Sequence, residues 1–123
     1  MKKLIPLALL FCLVPAHADN CDKPKDDFDG LYCLNKVYIQ ADKDLNDVYQ
    51  KLRAKLDTEG RDLLKTRQLS WIEDRNRQCS YRNDKGFFVN LKCATNSTIG
   101  QVRLLEDRYR ECISAGCMNS KLK

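Results

Sequence analysis

The sequence predicts a small all-α protein, a helical hairpin completed by a third helix into a three-helix bundle and stapled by disulfides. Three observations predict it. Apolar residues recur every three or four positions along three segments, which is the stripe of an amphipathic helix. A short break, Thr58 to Gly60, parts the first two of these segments and forces them antiparallel. Six cysteines remain once an export signal is set aside.

The export signal comes first in the chain. Lys2 and Lys3 precede an apolar run from Leu4 to Val14, and Ala16 and Ala18 supply the small residues that a signal peptidase reads. We expect cleavage after Ala18, leaving residues 19–123 as one soluble domain, periplasmic or secreted. The run is too short to span a bilayer, and no later stretch is long enough. Cys12 follows Phe11 and Cys21 follows Asn20, so neither stands after the small residue that a lipid-attachment cysteine requires. Removing Lys2 and Lys3 reduces the 22 basic residues to 20 against 17 acidic ones, and the charge falls from +5 to +3. So mild an excess argues against a nucleic-acid partner.

Residues 19–30 are polar and hold five aspartates against two lysines, with Pro24 and Gly30 as breakers, so a lead-in loop is expected. The first helix then carries Leu34, Tyr38, Ala41, Leu45, Val48, Leu52 and Leu56 on one face. Gly60 suits a left-handed turn after it. The second helix runs from about Arg61 to Cys79, with Leu64, Gln68, Trp71 and Arg75 turned inward. Ser80 to Thr95 reads as an ordered loop whose "GFFVNLK" forms a short strand or a hydrophobic anchor. A third helix, capped by Ser97 or Thr98, continues through Ile99, Val102, Leu105, Tyr109 and Cys112, with Gly100 weakening its start. "CISAGC" makes a closing turn, and "MNSKLK" is expected to fray.

An even number of cysteines in a small exported chain points to disulfides. Zinc is disfavoured because the only histidine, His17, leaves with the signal and no C-x-x-C pair occurs. No metal or other cofactor is expected. Six cysteines allow fifteen pairings. The local set, Cys21–Cys33, Cys79–Cys93 and Cys112–Cys117, is preferred because each bridge closes a loop between neighbouring elements. Exchange among the first four is the alternative, since they gather at one end of the bundle.

One stretch, "RQLSWIEDRNRQC" at Arg67 to Cys79, puts Gln68, Trp71, Arg75 and Cys79 on a single helical face. The expected role is an inter-helix lock. Arg75 would pair with Asp42, and Gln68 would bond to Asn46 or to the Tyr49 hydroxyl, under the Trp71 ring. Buried polar groups are stable only when partnered in this way. The competing reading makes Arg75 part of a ligand pocket. Catalysis is not expected: the mature chain has no histidine, no serine beside a plausible base and, with disulfides formed, no free thiol. Paired carboxylates such as Asp26 and Asp27, or Glu73 and Asp74, need a cleft between them to act on glycosides.

These motifs, "CLNKVYIQADKDLNDVYQKL" and "RQLSWIEDRNRQC", with the flanking cysteines, resemble the LprI family of small exported bacterial proteins. The resemblance covers about Cys21 to Leu105. The family often has Arg-Asp where this chain has Arg75 and Asn76, and it is named for a lysozyme inhibitor that is a lipoprotein. It implies a helical, disulfide-bonded binding protein whose partner is a lysozyme-type cell-wall hydrolase. The alternatives are an envelope accessory or immunity-type protein that binds another exported partner such as a toxin, and last a saposin-like membrane-active protein. For a basic hydrolase the contact surface should be acidic. Asp22, Asp26, Asp27 and Asp29, together with the aromatic loop residues Tyr81, Phe87 and Phe88, are the expected binding residues.

Overall fold

A computed structural model describes residues 21–123; the expected signal peptide and cleavage after Ala18 lie outside these residues. Three helices, α1 (Asp27–Lys55), α2 (Thr58–Cys79) and α3 (Leu91–Ala115), are joined by a strand pair, β1 (Ser80–Asn83) and β2 (Gly86–Val89), between α2 and α3. A 3-10 turn, Asn119–Leu122, closes the chain. The helices run up, down and up, so α1 and α3 are parallel. Val37 and Ala41 face Ile99 and Val102 at one level, and Lys55 meets Cys117 at the top.

The α1 stripe is the organising feature. Ala41, Leu45, Val48 and Leu52 are buried, and Leu56 follows them into the core just past the helix end. They pack with Leu64 of α2, Val102 and Leu105 of α3, and Leu122. Each such leucine contributes about 1.5–3 kcal/mol by leaving water. The main packing partner of α1 is α3, while α2 touches α1 little and rests instead on α3 and the 3-10 turn.

Four boundaries depart from the sequence reading, each for a local reason. α1 starts at Asp27 rather than after Gly30, because the Asp26 carboxylate accepts from the Asp29 amide and caps it. Pro24 lies ahead of that cap and does not interrupt it. The first two helices part at Leu56 and Asp57, and Gly60 sits inside the first turn of α2 instead of in a left-handed turn. Its amide donates to the Asp57 carboxylate at 2.7 Å. A Cβ there would stand 2.6 Å from Asn119 Oδ1, so a larger residue has to displace that side chain; the close approach, not the backbone angle, favours glycine.

α3 is capped by Asn90, whose side chain accepts from the Cys93 amide, so Ser97 and Thr98 lie within the helix. The Thr98 hydroxyl is wholly buried and donates to the Ala94 carbonyl at 2.8 Å. Finally, "MNSKLK" does not fray. Leu122 plugs the core, the Lys121 ammonium meets Glu111 at 3.3 Å, and Arg67 donates to the Lys123 carbonyl.

Three disulfides, Cys21–Cys33, Cys79–Cys93 and Cys112–Cys117, bridge neighbouring elements. The first ties the lead-in to α1, the second joins the end of α2 to the start of α3 beneath the strand pair, and the third secures the turn after α3. Bridges closing loops of this length stabilise by about 2–4 kcal/mol, which is large beside the stability of a small domain.

Candidate binding site

The polar side chains of α2 reach α3, not the α1 residues expected to partner them. Gln68 accepts from the Gln101 side-chain amide at 2.9 Å, and Arg75 Nη1 reaches Thr98 Oγ1 at 3.5 Å. Asp42 and Asn46 are exposed on α1 and take no part. Tyr49 packs half-buried against the core. The correction follows from topology: α2 leans away from α1 along its lower half and presents its polar stripe to α3. The Arg75 guanidinium lies 5.0 Å from the Trp71 ring centre.

That lean opens a groove of about 760 Å³ at the lower end of the bundle. Tyr38 and Asn35 of α1 form one wall, and Arg75 and Asn76 of α2 stand beside it. Leu91 and Ala94 of α3 and the Cys79 half-cystine supply apolar lining, and Phe87 and Val89 of β2 complete it. The Arg75 Nε and Nη2 atoms donate to Asn76 Oδ1 at 3.2 and 3.1 Å. No carboxylate among the described residues pairs with Arg75; the ion pairs lie elsewhere, as between Arg77 and Asp74.

The strand pair projects from the same end. Register pairs Tyr81 with Phe88 and Arg82 with Phe87, and Asn83 faces Gly86 across the turn. Gly86 has φ +140°, a conformation that side chains strain to adopt, and the Lys85 amide is held by Asn83 Oδ1. Strand alternation then divides the aromatics. Phe87 and Val89 face the groove, while Tyr81 and Phe88 stack on the opposite face with centroids 5.1 Å apart. All four are exposed, Tyr81 at 62%. Arg82 lies over the Phe87 ring at 5.2 Å.

The acidic residues gather at the α1 N-terminus, at the same end of the bundle as the strand pair. Asp26 and Asp29 are half-committed to the backbone, Asp26 as the cap and Asp29 accepting from the Lys25 amide at 3.0 Å. Asp27 lies in the first turn, where the helix dipole favours a negative charge, and Asp22 is exposed beside Cys21. Phe28, Leu31 and Tyr32 are exposed among them, with Phe28 at 78%. The sequence reading missed these three, and also Asn35, Tyr38 and Val89 as groove residues. Phe28 and Tyr32 fall on the opposite side of α1 from Ala41 and Leu45, and that second stripe was the available signal.

Asp57, at the other end, has a displaced ionisation. The Gly60 amide and the Asn119 side chain hold its carboxyl below the usual carboxylate range. Among the same residues no group of cysteine, histidine or acidic side chains is placed to hold a metal ion, and no helix is long and apolar enough to cross a membrane.

The described residues form a helical scaffold held by disulfides, with exposed aromatics and an open groove at one end. The family model described as lysozyme inhibitor LprI matches residues 21–118, and the chain belongs to that family. No curated protein and no solved structure matches the chain significantly. Membership implies an inhibitor-like function rather than catalysis, and three disulfides point to an oxidising compartment.

Proposed function

We propose that this protein inhibits a lysozyme-type cell-wall hydrolase in the periplasm or outside the cell by occluding it. The observation that carries the reading is the exposed aromatic face, Tyr81 stacked on Phe88, held at the end of the bundle where the aspartates of the α1 N-terminus also lie. Aromatic anchors dominate protein interfaces because each buries a large area with few rotatable bonds. The second disulfide fixes the strand pair before contact, and preorganisation reduces the ordering cost of binding.

Charge supports the same assignment. Residues 19–30 net −3 although the mature chain nets +3. Local complementarity steers a basic partner even against the net charge, and salt weakens it. The test is binding of the oxidised protein to several purified lysozymes at low and at raised salt. Saturable binding that weakens with salt is the expected result; no binding to any of them at low salt removes the reading.

A further inference from the structure

The groove on the inner side of the strand pair is chemically the opposite of the acidic turn. Its volume, about 760 Å³, lies within the roughly 300–1,000 Å³ typical of ligand clefts. Phe87, Val89, Leu91 and Ala94 give it apolar surface, and polar groups enter from both α1 and α2, Arg77 beside Arg75 among them. The Arg75 guanidinium is half-buried, lies over Trp71 and, among the described residues, hydrogen-bonds only to the neutral Asn76 and Thr98 oxygens. Beside it, the Tyr38 hydroxyl and the Asn35 amide have no hydrogen-bond partner among the described residues. A half-buried cation with no counter-charge among the described residues, lining the same groove as two such polar groups, is matched by a carboxylate.

We propose that this groove binds an extended acidic peptide segment, with a glutamate or aspartate carboxylate on Arg75 and the flanking apolar side chains against Leu91, Ala94 and Phe87. A side-chain carboxylate fits a half-buried guanidinium because its stem spans from a backbone lying along the rim. Tyr38 and Asn35 complete the carboxylate's hydrogen bonds. The site is distinct from the outer aromatic face, and its occupant carries the charge opposite to that of a basic hydrolase.

The test uses the oxidised protein, no hydrolase, and the probe acetyl-Ala-Leu-Glu-Leu-Ala-amide alongside the same peptide with Gln for Glu, read by NMR titration. Because no hydrolase is present, failure here leaves the occlusion reading untouched. The Glu peptide is expected to saturate and to shift the Arg75 and Trp71 side-chain signals, with the Gln peptide at least tenfold weaker. Asn76→Asp puts an internal carboxylate on Arg75 and should weaken the Glu peptide at least tenfold with the melting midpoint maintained. Tyr38→Phe should weaken it a few-fold. Equal binding of the two peptides, binding of neither, or wild-type affinity in folded Asn76→Asp overturns the proposal.

Discussion

The upper and lower ends of the bundle are built on opposite rules. At the upper end Leu45, Val48, Leu52 and Leu56 meet Leu64, Leu105 and Leu122, and the chain folds its own tail back as a plug. At the lower end the helix contacts are small or polar, Ala94, Thr95, Thr98 and Gln101, and the lean of α2 leaves a groove. Two of the three disulfides lie at that lower end. Covalent bonds there hold what apolar packing does not, which frees large aromatics to face water. The comparison teaches that the tightest apolar packing and the most exposed aromatics occupy separate ends of the molecule.

The largest expected effect breaks the upper end. Leu52, 0% exposed, replaced by alanine should cost about 2–5 kcal/mol in denaturant unfolding with the disulfides intact. Replacing Cys79 and Cys93 by serine should cost about 3 kcal/mol, against about 2 for the Cys112 and Cys117 pair, because the loop it closes is longer. The first loss should also free the strand pair, seen as rapid amide exchange in residues 80–89, while the second should leave those amides protected.

A smaller effect follows from Asp57. Its carboxyl is held below its unfolded value, so the stabilisation is complete above about pH 3.9 and fades as the pH falls through the lower folded value. Acid unfolding of Asp57→Asn should therefore show a weaker dependence on pH below that point than the parent protein. The smallest stability effect belongs to the lower end: Tyr81→Ala with Phe88→Ala should shift unfolding by only about 0.5 kcal/mol, since both are exposed.

How much of this was legible in the sequence differs between the ends in the same way. The α1 stripe named the upper core residue by residue, because a 3.6-residue period over a long helix has one physical solution. The lower end was harder. The polar face of α2, Gln68 to Arg75, was visible as an unusual buried stripe, but its partner depends on how far α2 leans, and no local pattern encodes a crossing angle. Leu122 escaped notice because one apolar residue in a polar tail carries no period. Asp26 was hidden by Pro24 and Gly30, breakers that proved to sit before a cap and within a helix. Tyr38 was read as core from its place in the α1 stripe, and only the lean of α2 turns it into a groove wall.

Inhibition constants read the contact proposed between the outer face of the strand pair and the hydrolase. Tyr81→Ala with Phe88→Ala should keep the parent's melting midpoint and lose at least tenfold in inhibition of the most sensitive lysozyme, as the loss of one or two anchors worth about 1–2 kcal/mol each requires. Undiminished inhibition by the folded double variant would contradict the account.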